Sequence, residues 1–255
     1  MTVYELYLKL TERIPSELSC SWDGDGFEVC GDKHREVRRV LVALDVTNEV
    51  INKAIEEKYD VIISHHPLFF KGLKEISVLS PDGERAVKLI KNDVSVMTFH
   101  TRLDAVSGGV NDTLASLLGL NNFETVEYNG EGLVRVGELE REMSPSEFAA
   151  LVKEKLESPS VTLAQCGKNV KRVALLGGSG SSEIKAGIYA GADTYLTGEL
   201  KYHDYLSAQD FGVNLISAGH FYTEYPVCEI LKGFVLDIDD KVECEVFFSD
   251  RVTVI

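Results

Sequence analysis

An α/β fold of two related domains, with mixed, mostly parallel sheets covered by helices, is predicted from three features of the 255-residue sequence. Short apolar runs such as Val61-Ile-Ile63 stop abruptly at polar or histidine residues, as strands buried on both faces of a sheet do. These runs alternate with segments whose apolar residues recur at helical spacing, the signature of βαβ units. The pattern then restarts. Lys171-Arg172-Val173 answers Arg38-Arg39-Val40, and Asp193-Thr-Tyr-Leu-Thr197 answers Asp60-Val-Ile-Ile-Ser64, both displaced by 133 positions. Val213 to Ser217 answers Val94 to Thr98 at a displacement of 119, and His220-x-x-x-Glu224 answers His100-x-x-x-Asp104 at 120. Self-similarity at a nearly constant displacement marks a duplicated unit.

Residues 2–14 carry an amphipathic helix pattern that closes before Pro15. Residues 21–32, SWDGDGFEVCGD, are rich in Gly and Asp and read as loop and turn, with Trp22, the only tryptophan, as the anchor. Val37 to Val46 is a strand, and Thr47 caps a helix bearing Val50, Ile51, Ala54 and Ile55. Asp60 to Ser64 is the next strand, followed by a loop through Lys71 and Gly72. Residues 82–92 form a helix and Val94 to Phe99 a strand ending in His100-Thr-Arg-Leu-Asp104. Gly108 to Asp112 leads into a helix through Leu118. Residues 121–169 are less regular, with a strand at Glu131 to Glu140 and a helix at Ser144 to Leu156 capped by Ser144. The predicted halves are 1–125 and 126–255, with the C-terminal segment packing back on the first and the functional site between them.

Composition bounds the function classes. Hydrophobic residues make up 44% and charged residues 26%, an ordinary globular mixture. No apolar run approaches the roughly 20 residues of a membrane helix, and the N-terminus lacks the layout of a signal peptide; a cytoplasmic location is expected. A net charge of −15 disfavours nucleic acid and anionic membranes as partners, since both need a basic surface. Five widely spaced cysteines without a C-x-x-C read as free thiols.

The chemistry concentrates at strand ends. His65 and His66 would point to opposite faces of a regular strand, so they serve one site only if the chain turns there, which Pro67 favours. His100 with Asp104, and His220 with Glu224, share a face if a helical turn begins at each histidine. Four of the six histidines therefore end buried strands with acidic residues nearby. Six N and O donors exceed the three or four protein ligands of one zinc-type site and suit two divalent ions about 3.5–4 Å apart. Mixed imidazole and carboxylate donors fit zinc, iron, manganese or nickel. Cations of this kind lower the pKa of a bound water to about 7, which points to hydrolysis.

SHHPLFFKGLK, FHTRLDAVSGGVND, the 177–182 turn, TGELKYH and GHFYTE together resemble the GTP cyclohydrolase I type 2 (Ngg-interacting-factor-like) family of dinuclear-metal proteins. The early WDGDGFEV is similar to that family's WDN-G-L loop. The resemblance spans nearly the whole chain. It implies a homohexameric toroid of two-domain subunits, a dinuclear centre facing the cavity, and His65, His66, His100, Asp104, His220 and Glu224 as metal ligands. It implies a hydrolase using a bridging hydroxide as nucleophile on a nucleotide or related phosphorylated or heterocyclic small molecule, by analogy with opening of the guanine ring of GTP. The alternative of another class is a non-catalytic metal-binding hexamer acting through protein partners. Two departures stand out: Arg102 occupies a position where Asn is common, and Asp25 and Phe27 alter the tryptophan loop, neither expected to touch a ligand. The length matches the short form, without the domain that longer relatives insert between the halves.

Weaker signals remain. The GGSGSS turn at 177–182 offers either a phosphate cradle or a tight turn. Glu199 and His203 line the site or stay solvated, Lys71 and Arg102 meet substrate phosphate or form surface salt bridges, Tyr222 packs, and Asp45 is a candidate for orienting an imidazole.

Overall fold

A computed structural model describes Met1–Ile255 as two compact units. The first comprises Met1–Val106 and Cys228–Arg251, the second Ser107–Val227 and Val252–Ile255. The division falls at Val106/Ser107 and not at the expected 125/126, because the segment after Ser107 pairs and packs with the strands that follow it.

In the first unit, α1 (Val3–Arg13) is opened by a capping box between Thr2 and Glu5 and buries Val3, Leu6 and Leu10. β1 (Gly26–Val29), β2 (Arg39–Ala43), α2 (Asn48–Glu56), β3 (Val61–Ser64), α3 (Pro81–Lys91), β4 (Ser95–Thr98) and α4 (Thr101–Ala105) follow. β2, β3 and β4 run parallel in register, Val40 opposite Val61 and Val61 opposite Ser95. Leu41, Ile62 and Val96 pack on one face with Val50, Ile51 and Leu89 of the covering helices. Val40, Val42, Val61, Ile63 and Met97 are as fully buried, which is why these strands read as continuous apolar runs.

β1 lies inside a stretch expected to be loop. Gly26, at φ +133°, lets the chain turn into four residues that pair antiparallel with β4. Four residues flanked by Gly and Asp carry too little pattern to announce a strand.

The second unit holds α5 (Val110–Leu117), β5 (Leu120–Tyr128), β6 (Glu131–Met143), α6 (Pro145–Lys155), β7 (Thr162–Ala164), β8 (Val170–Ser179), α7 (Ile184–Tyr189), β9 (Thr194–Glu199), α8 (Tyr202–Leu206), α9 (Ala208–Phe211), β10 (Asn214–Ser217) and α10 (His220–Glu224). Its sheet has the order β5-β6-β8-β9-β10-β7. β8, β9 and β10 are parallel, while β5, β6 and β7 add antiparallel edges. Leu175, Leu196 and Ile216 pack on one face with Leu114 and Phe148. Their neighbours Ala174, Tyr195 and Leu215 pack on the other with Ile184 and Ala186. The irregular region at 121–128 is a strand of a long hairpin turned by Asn129 and Gly130, both at positive φ. Asn-Gly between alternating residues is a strong hairpin signal. The chain then returns to the first unit through α11 (Val227–Ile238) and β11 (Glu243–Phe247), which pairs parallel with β2.

The duplication extends to individual hydrogen bonds. Asp60 accepts from the backbone N–H groups of Arg38 and Arg39 at 2.8 and 2.9 Å. Asp193, displaced by 133 positions, accepts from those of Lys171 and Arg172 at 2.9 and 2.8 Å. Left-handed Lys58 and Asp93 have left-handed counterparts in Gly191 and Gly212. No helix is long and apolar enough to cross a membrane.

Candidate metal centre

The three histidines of the first unit sit where parallel strands stop. β3 ends at Ser64, whose Oγ donates to the His66 carbonyl at 2.9 Å and bends the chain directly after the strand. That bend brings neighbouring imidazoles to one place, with the His65 and His66 rings 5.0 Å apart. β4 ends at Thr98, and His100 occupies the N-cap of α4 at φ −96°, ψ −109°. Its ring lies 5.2 Å from His65 and 5.8 Å from His66. One nitrogen from each of the three rings lies within 4.8 Å of the others. Asp104, one helical turn on, places Oδ1 3.7 Å from His65 Nε2.

Each imidazole has its Nδ1 beside an acceptor. His65 Nδ1 is 3.0 Å from the Phe99 carbonyl, His66 Nδ1 is 2.8 Å from Asp45 Oδ1, and His100 Nδ1 is 3.0 Å from Asp23 Oδ2. A carbonyl or ionised carboxylate can only accept, so Nδ1 carries a proton, and in the neutral ring the lone pair is then on Nε2. This is the arrangement of metal-binding histidines, whose second nitrogen is held by an acceptor. Asp23 also accepts from the Thr101 N–H at 3.0 Å and the Thr101 hydroxyl at 2.7 Å. Burial pulls its pKa upward, but the hydrogen bonds from His100 and Thr101 outweigh it and hold the carboxyl well below the usual carboxylate range. Asp23 thus stays ionised and keeps its accepting role.

The segment from Trp22 to Val29, expected to be a loop, is the clamp of this cluster. Asp25 accepts from the His100 N–H at 2.8 Å and from Arg102 Nε at 2.9 Å. Glu28 accepts from Leu68 and Phe69 N–H at 2.7 and 3.0 Å and from the Thr98 hydroxyl at 2.6 Å, tying the segment after His66 to the end of β4. Arg102 is 1% exposed, lies over the Phe99 ring and donates to the carbonyls of Ile14 and Thr98. Its guanidinium makes a buried ion pair, correcting both the phosphate and the surface-salt-bridge expectations. Arg102 and Asp25, two separate departures from the family pattern, are one pair, and Asp25 does contact a candidate ligand, through the backbone of His100. Trp22 is not a buried anchor; it is 61% exposed with its ring edge-on to His100. Lys71 is exposed.

In the second unit β10 ends at Ser217, and Gly219, at φ +88°, starts α10. His220 Nε2 lies 3.1 Å from Glu224 Oε2 one turn later, and His220 Nδ1 is 3.5 Å from Glu199 Oε1 at the end of β9. His203 is 74% exposed on its side chain and lies 3.6 Å from its neighbour Asp204. In the 177–182 turn, Gly177 N–H donates to Asn111 and Gly178 N–H to the Thr223 hydroxyl, at 2.8 and 3.0 Å. Those donors are engaged by the protein itself, so the turn packs against α10. Tyr222 packs on the core.

The match to the Duf34/NIF3 family (NGG1p interacting factor 3) runs over residues 1–253. The chain belongs to this family. Among curated NIF3 relatives, a "GTP cyclohydrolase 1 type 2 homolog" of Clostridium perfringens is 35% identical over 218 residues, covering 84% of this chain and 83% of that protein. One of the same name from Staphylococcus aureus is 29% identical over 347 aligned residues, 93% of each chain. An aligned span longer than this chain means that the relative carries inserted residues. A crystal structure of a Staphylococcus aureus hypothetical protein superposes with a TM-score of 0.91 at 32% identity, covering 100% of this chain and 99% of that one. Reduced HcgD from Methanocaldococcus jannaschii gives 0.84 at 29% identity, covering 96% and 97%.

Proposed function

We propose that this NIF3-family chain is a divalent-metal-dependent hydrolase acting on a nucleotide or a related phosphorylated or heterocyclic compound. His65, His66, His100 and Asp104 from the first unit and His220 and Glu224 from the second would hold two divalent ions of the zinc, iron, manganese or nickel type. The observation that carries the reading is the trio of imidazoles whose Nδ1 atoms each face an acceptor at 2.8–3.0 Å while ring nitrogens gather within 4.8 Å. The donor set fits such ions, since neutral imidazole and carboxylate are their preferred ligands. When bound, they supply the positive charge that activates water near neutral pH and polarises the bond under attack.

The chain's own residues do the positioning. The Phe99 carbonyl, Asp45 and Asp23 hold the three rings in one tautomer. Ionised Asp23 accepts the hydrogen bond of the His100 Nδ1–H as a fixed negative partner. Glu199 plays the corresponding part at His220 Nδ1. The relatives' name, GTP cyclohydrolase 1 type 2 homolog, supports a nucleotide substrate. The proposed working form is a cytoplasmic homohexamer.

Purified, metal-replete protein should turn over at least one member of a nucleotide panel. His66→Ala and Asp104→Ala should abolish that turnover, and Asp45→Ala should reduce metal affinity or rate by roughly 10–100-fold, the usual effect of removing a ligand's hydrogen-bond partner. Metal-loaded protein inactive on the whole panel, with partner binding unchanged in the same variants, would replace the hydrolase with the scaffold alternative.

A further inference from the structure

Two large aromatic side chains stand exposed at the same candidate ligand. Trp22 is 61% exposed and Phe70 68% exposed. Each sets its ring edge-on to His100, with centroids 6.0 and 5.4 Å away and interplanar angles of 77° and 71°. Single exposed apolar residues are ordinary on any surface; two meeting at one donor imidazole are an arrangement that calls for a ligand.

Neither ring is exposed through a slack backbone. Trp22 directly precedes Asp23, whose carboxylate meets the His100 ring and both donors of Thr101. Phe70 directly follows Phe69, whose N–H donates to Glu28. The two aromatic positions are therefore fixed to the histidine cluster by acceptors of one segment. Among the chain's own side chains at this place, the charges do not favour an anion. Arg102 is buried and committed to Asp25, while Asp23, Asp45 and Asp104 surround the imidazoles with negative charge.

From this we infer that Trp22 and Phe70 form a stacking subsite for a planar heteroaromatic ring, a nucleobase or similar heterocycle, set beside His100. Ring recognition, not phosphate recognition, then selects the substrate. The inference rests on reading the histidine cluster as the reactive centre. A stacked base is worth roughly 5- to 150-fold in Kd per aromatic ring, and any base has a π-face to offer.

Trp22 is the only tryptophan, so its fluorescence reports on this place alone. Zinc-loaded protein should show saturable quenching by guanosine and by GMP, with Kd values within about tenfold of each other, and none by ribose 5-phosphate. Phe70→Tyr should keep the affinity, and Phe70→Leu should weaken it by roughly 5- to 150-fold. No saturable response to either purine compound, ribose 5-phosphate equal to GMP, or an unchanged Phe70→Leu variant would each overturn the subsite. A parallel cobalt titration of metal-stripped protein separates the two readings. Cobalt binding without a nucleoside response removes the subsite and leaves the hydrolase; nucleoside binding without cobalt binding supports the subsite and removes the metal centre.

Discussion

Arg102→Met should destabilise the protein by roughly 3–5 kcal/mol, the usual consequence of leaving one member of a buried ion pair without its opposite charge. The guanidinium is 1% exposed and pairs with Asp25 at 2.9 Å. Asp25 would keep its hydrogen bonds from His100 N–H and Ser19 but lose the cation that offsets its burial. A double variant, Asp25→Asn with Arg102→Met, should recover most of the loss, because an apolar or neutral replacement of both partners is often nearly neutral. Thermal unfolding reads the cycle: the single variant falls by about 10 °C and the double variant by clearly less. Two additive losses would mean that the residues act separately. Because Asp25 also holds the backbone of His100, the single variant should bind metal more weakly even at temperatures where it is fully folded.

The second large effect lies at the glycines against α10. Gly198→Ala would place a Cβ 2.6 Å from the Gly178 carbonyl, 2.7 Å from Thr223 Oγ1 and 2.8 Å from His220 Cα. Backbone cannot yield cheaply to such contacts, and overpacking of this kind costs roughly 1–3 kcal/mol. Gly178→Ala meets two penalties: its φ of +65° and a Cβ 2.0 Å from Glu224 Oε1. The first costs about 1–2 kcal/mol, and the second forces the Glu224 carboxylate away from His220. Both variants should lose stability, and Gly178→Ala should in addition lose metal through Glu224. Wild-type melting with wild-type metal content in either one would show that α10 does not need the close approach. By the displacement of 133 positions, Gly198 and Glu199 stand where His65 and His66 stand in the first unit. The duplicated halves have thus diverged: one spends the strand end on two imidazoles, the other on a glycine that admits α10 and a carboxylate that faces His220.

Much of this was legible in the sequence, for a physical reason. Strands buried on both faces must be continuously apolar, so β2, β3, β4, β8, β9 and β10 announce themselves, and histidines at their ends are conspicuous because they break off otherwise apolar runs. What escaped lies in pairings that sequence distance conceals. The acceptors of the imidazoles, Asp23, Asp45 and the Phe99 carbonyl, come 77, 21 and 34 positions away from their rings. Asp45 was distinguishable only by its place at a strand end; Asp23 and Glu28 looked like loop acids. Arg102 looked like a surface cation because its burial is created by α1, β1 and β4 together. The Asn129-Gly130 hairpin, by contrast, carried a local signal that alternation in 123–128 should have made readable.

The central claim is that donors from both halves bind metal. Elemental analysis of the purified chain after equilibration with zinc and removal of excess metal, repeated for His66→Ala and Glu224→Ala, tests it most directly. The account predicts two ions per wild-type chain and a clear loss in each variant. A wild-type chain without bound metal, or Glu224→Ala with the full wild-type content, would contradict it.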